Sequence, residues 1–274
     1  MTWTPATATR RQPGPPEFLA YEMRSARHVQ TSLLPRSLPH MSSLEYAACS
    51  LPGRAVGGDF YDFLTPQPGR LALIQGDISG KGVPAALMMA ALQSTLRSHY
   101  AVSQTTLERK IESVNRLFFE CTASEHYATL FAGEYDDASR RLRYASCGHI
   151  PPLIVHDDFG VTRLLPTATV LGLFPEWSGS VGEATLHPGD TLVLATDGIL
   201  EATSSQGQEF GEARMIAVVR RCRDLPPAEL TREIIGEARR FSGNRPALDD
   251  QTVLVARVRS PAFDHSKLRC NGAR

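Results

Sequence analysis

The sequence predicts an α+β protein in which antiparallel sheets are flanked by pairs of helices. The first observation is the order of the segments, which runs from strands to two helices, back to strands, to two more helices and to a final strand. Alternating strands and helices would instead have indicated a parallel sheet. The second observation is that 274 residues with 42% apolar residues suffice for a sizeable core.

Short apolar runs bounded by turn residues predict the strands. They lie at 44–49, 57–63, 70–78, 128–135, 141–147, 153–156, 161–165, 181–186, 191–195 and 252–258. Apolar residues at helical spacing predict the helices. These lie at 84–99, 106–121, 212–222 and 228–241.

Composition divides the chain into four parts. Residues 1–16 are rich in Thr, Pro and Arg, which predicts disorder. Residues 17–40 form a linker or regulatory helix, and residues 41–260 form one domain. The tail, 261–274, is expected to be flexible.

The helix of the linker is predicted at 17–34 and ends before Pro35. Its apolar residues share one face, and they are Leu19, Met23, Ala26 and Leu33. An apolar face outside a complete domain needs a cover. The face therefore either packs on its own domain or forms a regulatory or dimerising contact with a second copy.

The charge balance excludes several classes of partner. Lys and Arg number 29, as do Asp and Glu, so there is no general attraction to nucleic acid or to an anionic membrane. The five cysteines form no CxxC pair, which suits reduced thiols in the cytoplasm. No signal peptide is recognised, and the longest apolar run is too short to span a bilayer. The sequence thus predicts a cytoplasmic protein with a local electrostatic site.

Aspartates stand at the ends of the predicted strands. Asp59, Asp77 and Asp197 each adjoin a glycine, and Asp249 and Asp250 precede the last strand. One Asp-Gly alone is more typical of a turn, but the recurrence in several strands weakens that interpretation. Carboxylates converging from separate strands repel one another unless a cation lies between them. Oxygen ligands favour Mg²⁺ or Mn²⁺, and two such ions can hold a phosphate and activate water.

Other phosphate chemistries do not fit. Only three residues separate Gly76 from Gly80, where the Walker pattern requires four, and Gly82 replaces its Ser or Thr. No cysteine has an arginine six positions later, as cysteine-based phosphatases would need. The His and Cys spacing of zinc sites is also missing.

Five motifs resemble the metal-dependent (type 2C) protein serine/threonine phosphatases, in particular their bacterial branch typified by the sporulation stage II protein E. They are VGGDFYDF, GDISGKGVPAALMMA, SCGHIPPLI, LATDGILEA and DDQT. The resemblance covers roughly residues 40–260 in the family's order. It implies a four-layer α-β-β-α sandwich, with two antiparallel sheets between helix pairs. It also implies hydrolysis of phosphoserine or phosphothreonine on a partner protein by metal-activated water.

By position, the resemblance implies a catalytic site with two ions, Mn²⁺ or Mg²⁺. Asp77 matches the aspartate that bridges both ions, and the Ile78 carbonyl matches the neighbouring backbone ligand. Asp59 matches a residue that serves the second ion, directly or through water. Asp197 and Asp249 match ligands of the first ion.

Some assignments stay open. Asp250 is the weaker alternative to Asp249, because distant members of the family often carry Asn at its position. His149 is expected to be a core or turn residue rather than a substrate contact. Lys81 either meets the substrate phosphate or is a solvated loop residue.

The resemblance also implies a substrate, a phosphorylated anti-sigma-factor antagonist. The alternative function is a catalytically weak or inactive module of the same fold that binds a regulatory partner. A pseudoenzyme usually lacks a metal ligand, whereas here every candidate aspartate is present. A phosphoesterase acting on small molecules is a third option.

Overall fold

The computed structural model describes residues 15–102, 105–122 and 126–260. Two antiparallel five-stranded sheets are stacked between helices, which confirms the α+β class and its four layers. The segment predicted to be disordered, 1–16, lies outside the described residues up to residue 14. The predicted flexible tail, 261–274, lies wholly outside them.

The helices are α1 (Pro15–Leu33), α2 (Val83–Val102), α3 (Leu107–Cys121), α4 (Asp197–Leu200), α5 (Gly211–Arg221) and α6 (Pro227–Phe241). The strands are β1 (Leu44–Leu51), β2 (Phe60–Leu64), β3 (Arg70–Ile78), β4 (Ala128–Asp136), β5 (Arg141–Cys147), β6 (Leu153–Val155), β7 (Val161–Arg163), β8 (Gly182–Thr185), β9 (Thr191–Ala195) and β10 (Gln251–Val258). No helix within these described ranges is long and apolar enough to cross a membrane.

The structure differs from the prediction at two elements. The strand expected at 57–63 begins only at Phe60, because the Gly58 amide donates to the Asp250 carboxylate (2.7 Å) instead of joining a strand ladder. The short helix α4 was not predicted, since a single turn contains too few residues for a helical pattern.

Strand pairing brings the acidic turns to one edge of the sandwich. One sheet has the order β1-β10-β9-β6-β7 and the other β2-β3-β4-β5-β8. Phe60 at the start of β2 pairs with Gly76 near the end of β3. Ala195 at the end of β9 pairs with Val253 near the start of β10. The Gln75 amide donates to the carbonyl of Thr252 (3.1 Å), which joins the two sheets near this edge.

The apolar runs are continuous because strands in the middle of each sheet are buried on both faces. In β10, Leu254 and Ala256 belong to the core between the sheets, whereas Val253 and Val255 pack with the core under α5 and α6. Successive side chains of a strand point to opposite faces, so both sets of residues must be apolar. A third core lies between the other sheet and helices α2 and α3.

One ion pair is buried beneath α3. Lys110 Nζ lies 2.7 Å from Glu134 Oε1, and their side chains are only 4% and 10% exposed. The ammonium also lies 4.5 Å from the centre of the Tyr100 ring. Because both charges have lost water, each depends on the other.

We therefore expect Lys110→Met to lower the free energy of unfolding by about 3–5 kcal/mol, since it leaves the Glu134 carboxylate buried without a partner. The double change Lys110→Met with Glu134→Gln should recover much of that loss. Urea denaturation measures both values. The matched control is Arg109→Met, because the Arg109–Glu112 pair is exposed and should contribute about 0.5 kcal/mol or less. Equal effects of the two single changes would contradict the assignment.

Candidate active site

The predicted aspartates lie around the shared edge of the two sheets. Asp59 immediately precedes β2, and Asp77 is the penultimate residue of β3. Asp197 begins α4 just after β9, and Asp249 lies just before β10. The strand ends supply rigid positions for short side chains, so the carboxylates act on one another electrostatically.

Asp59 is the most deeply buried of these four aspartates, with 7% of its surface exposed. The Thr196 hydroxyl donates to Asp59 Oδ2 at 2.8 Å, which fixes the carboxylate. Burial first, and then the negative charge of Asp77, raise the pKa of Asp59 well above its ordinary value. The carboxylate therefore stands where an added positive charge would be strongly stabilising.

Asp77 is the centre of the electrostatic cluster. Burial, followed by the charges of Asp197 and Asp249, raises its pKa to about 7. Burial and the charge of Asp249 also raise the pKa of Asp197. The site thus concentrates negative charge on a partly buried surface.

Lys81 is a cation at this edge. Its ammonium lies 2.5 Å from Asp249 Oδ2 and donates to the carbonyl of Leu248 at 3.1 Å. Both side chains are partly exposed, at 41% and 37%. Lys81 thus pairs with a candidate ligand in this structure.

Asp250 faces the backbone of the loop before β2. Its Oδ1 accepts a hydrogen bond from the Gly53 amide (2.8 Å), and its Oδ2 accepts from the amides of Gly58 (2.7 Å) and Asp59 (3.4 Å). A Cβ on Gly57 would lie 1.9 Å from Asp250 Oδ2, so only glycine fits there. Asp250 therefore holds the loop that presents Asp59.

The carbonyl of Ile78, the predicted backbone ligand, faces the same loop. A Cβ added to Gly58 would lie 2.8 Å from the Ile78 oxygen, closer than real contacts allow. Glycine at this position brings the carbonyl next to the backbone that leads into Asp59.

Within the described residues, no group of three or more His, Cys, Asp and Glu side chains is arranged to hold a metal ion. Their hydrogen bonds give a reason: Asp249 is turned to Lys81, and Asp59 to Thr196. The chemistry of the donors nevertheless fits a hard divalent cation. All candidate atoms are oxygens, and several repelling carboxylates lie in one place.

His149 is buried, as expected for a core histidine, with 3% of its surface exposed. Its Nδ1 is 2.9 Å from the Thr129 hydroxyl, and its buried Nε2 has no hydrogen-bond partner among the described residues. Burial lowers the pKa of His149 to about 4. The imidazole is therefore neutral near pH 7.

Sequence reasoning missed two residues of this region. Thr196 adjoins Asp197 in a motif that had been noted, but nothing in the sequence gave its hydroxyl a role. Gln30 contacts the loop before β2 from α1, and no motif connects a helical glutamine with a loop 27 residues further along the chain.

A sandwich of this topology, with aspartates at the edge of both sheets, has the fold of type 2C (PP2C) phosphatases. The chain belongs to the stage II sporulation protein E (SpoIIE) family, whose sequence profile it matches over residues 67–259. This confirms the family that the motifs resemble.

Two curated relatives illustrate the family. Protein IcfG of Synechocystis is 30% identical over 221 residues, which cover 71% of this chain and 35% of the relative. Phosphoserine phosphatase RsbU of Bacillus subtilis is 27% identical over 189 residues, which cover 68% of this chain and 55% of RsbU. The chain thus spans between about a third and about half of the length of these relatives.

Solved structures share the fold. The RsbU and RsbW domains of Rv1364c from Mycobacterium tuberculosis superpose with a TM-score of 0.72 at 28% identity, covering 84% of this chain and 64% of that one. The catalytic domain of the serine/threonine phosphatase PstP, solved with 2 manganese ions, gives 0.57 at 19% identity and covers 80% and 99%. At this identity the second comparison shows the fold alone.

The buried imidazole predicts an acid-sensitive fold. In the unfolded chain a histidine binds a proton near pH 6.5, whereas folded His149 resists protonation until about pH 4. Its contribution to stability is therefore complete above pH 6.5 and is lost as the pH falls from 6.5 to 4. We expect a loss of about 3 kcal/mol at pH 4.

The measurement is the free energy of unfolding at pH 7 and pH 4.5, compared between the wild type and His149→Asn. Asparagine keeps a polar atom near the position of Nδ1 but does not titrate. The difference between the two proteins should shrink by roughly 2 kcal/mol or more at the lower pH. A difference that does not change with pH would contradict a neutral, buried His149.

Proposed function

We propose that this chain is a protein serine/threonine phosphatase that depends on two ions of Mn²⁺ or Mg²⁺. The observation that carries the proposal is the position of Asp59, Asp77, Asp197 and Asp249 at adjoining strand ends on one edge of the two sheets, where their charges act on one another. Membership of the SpoIIE family supports it. Residues 41–260 form the catalytic domain in this proposal.

The proposal gives each of these residues a role in binding the two ions. Asp77 would bind both ions, with the carbonyl of Ile78 beside it, while Asp59 would serve one ion and Asp197 and Asp249 the other. Bound there, the ions would supply an activated water and neutralise the charge of the phosphate. PstP, which shares the fold, was solved with manganese.

Asp249 is the better choice over Asp250. Both oxygens of Asp250 accept hydrogen bonds from backbone amides, so metal binding would release Gly53 and Gly58 from their partner. Asp249 pairs with Lys81, whose flexible ammonium can leave at little cost.

We propose a phosphorylated anti-sigma-factor antagonist as the substrate. The relative RsbU is named a phosphoserine phosphatase, and Rv1364c carries RsbU and RsbW domains. A groove of about 510 Å³ adjoins the site and offers room for a segment of a protein substrate. Lys81 and Asp249 lie at its edge, as do Glu201, Arg245 and the exposed Leu248.

The alternative, an inactive binding module, is less well supported. Such a module has no need to keep repelling carboxylates together, because their proximity costs stability without a cation. Here the cluster is kept, and Thr196 and Asp250 hold the Asp59 region in place.

Activity should require Mn²⁺ or Mg²⁺ and vanish in excess chelator. Asp77→Ala should lower kcat on p-nitrophenyl phosphate by at least about 100-fold, the loss caused by removing one charge-stabilising group from other active sites. The metal site lies outside the cores, so the variant should stay folded. Steady-state kinetics with Mn²⁺ and circular dichroism measure both.

The control is Asp224→Ala, which removes an exposed aspartate with 96% of its side chain accessible. It should keep wild-type kinetics. Full wild-type activity in excess chelator would overturn the two-ion assignment. A folded Asp77→Ala variant with near wild-type kcat would overturn the role of Asp77.

We also propose that α1 can form a homodimer contact. Leu33 packs against the core under α2 and α3, but Leu19 is 60% exposed and Phe18 55% exposed. The C-terminal part of the helix thus packs on its own domain, and the N-terminal part keeps an apolar surface that a second copy could cover.

Light scattering should give twice the mass of the chain, and Leu19→Glu should give the monomer. A monomeric wild type at millimolar concentration would contradict this contact.

A further inference from the structure

The side chain of Gln30 makes a two-way contact with the loop before β2. Its Nε2 donates to the carbonyl of Gly57 at 2.6 Å, and the Gly57 amide donates to its Oε1 at 3.1 Å. One side-chain amide thus satisfies both backbone groups of a residue outside the strand ladders. Unpaired backbone groups are costly when they are partly buried, so the contact fixes this residue.

Gly57 is held from its other side as well. It lies against the Asp250 carboxylate, which also binds the amide of Gly58. The loop therefore lies between Gln30 and Asp250, and Asp59 follows two residues after Gly57. A shift of this loop would move the carboxylate of Asp59 relative to Asp77.

The position of α1 is itself fixed near Gln30. The carbonyl of Leu33 accepts hydrogen bonds from Gln93 (3.2 Å) and Arg97 (2.6 Å), both in α2. Arg97 is in turn paired with the buried carboxylate of Asp62 in β2 at 2.6 Å. The last turn of α1 is thus attached to the domain. This attachment fixes the position of Gln30 relative to Gly57.

We propose that Gln30 is a positioning residue that holds the Gly57–Asp59 loop in the conformation that allows Asp59 to serve a metal ion. The consequence for metal binding rests on the proposed function. The contact with the loop does not depend on it. A helix outside the two sheets thereby contributes a part of the active site.

The test compares Gln30→Met with the wild type. Methionine keeps the length and the helix propensity of glutamine, but it cannot donate to the Gly57 carbonyl and offers the Gly57 amide only a weak sulfur acceptor. The matched control is Thr31→Ala, since the Thr31 hydroxyl donates to the carbonyl of Arg27 in its own helix (2.9 Å). Gln30→Glu is the second variant, because its carboxylate can accept from the Gly57 amide but cannot donate to the carbonyl.

The first readout is hydrogen exchange of the Gly57 amide in the metal-free protein, followed by NMR. Exchange should accelerate by roughly tenfold or more in Gln30→Met and stay unchanged in Thr31→Ala. The second readout is Mn²⁺ titration by calorimetry. Gln30→Met and Gln30→Glu should bind Mn²⁺ about 10-fold more weakly, the range seen when partners of metal ligands are removed.

Kinetics separate positioning from a loss of folded protein. With p-nitrophenyl phosphate, kcat of Gln30→Met should fall at low Mn²⁺ and recover largely at saturating Mn²⁺, with KM little changed. Unchanged Gly57 exchange together with wild-type Mn²⁺ affinity in Gln30→Met would overturn the inference. So would a loss of kcat that saturating Mn²⁺ does not restore. A wild type that binds no Mn²⁺ would overturn the proposed function, whereas the Gly57 exchange still decides whether Gln30 holds the loop.

Discussion

The carboxylate of Asp250 connects parts of the chain that lie 197 residues apart. It binds the amides of Gly53 and Gly58, so the loop leading into one sheet is attached to the residue immediately before the last strand of the other. Without this interaction two backbone donors would lose their charged acceptor inside the protein, a costly state. The position of Asp59, and with it the shape of the acidic cluster, depends on that connection.

Negative charge is concentrated on this scaffold at a place where water is partly excluded. Burial and mutual repulsion act on Asp59, Asp77 and Asp197 together, while Lys81 forms its ion pair with Asp249. Away from this edge, the nearly buried carboxylate of Glu134 has a matched partner in Lys110. The contrast supports the proposal that the carboxylates at the edge of the sheets serve an external cation.

Much of the fold could be predicted from the sequence, because strands that are buried on both faces consist of continuous apolar runs, as in β9 and β10. The aspartates could be placed at strand ends for the same reason. The choice between Asp249 and Asp250 could not be made, since adjacent carboxylates look alike until their hydrogen bonds are known. The bonds of Gln30 and Thr196 join distant segments, and no local pattern encodes them.

The central claim is that Asp59, Asp77, Asp197 and Asp249 hold two ions while Asp250 stays with the backbone. Crystals grown with Mn²⁺ and measured at the manganese absorption edge test it directly. The account predicts two anomalous peaks at the edge of the sheets, with Asp77 between them and Asp250 still bonded to the Gly58 amide. No peak beside Asp77, or an ion bound by Asp250 in place of Asp249, would contradict it.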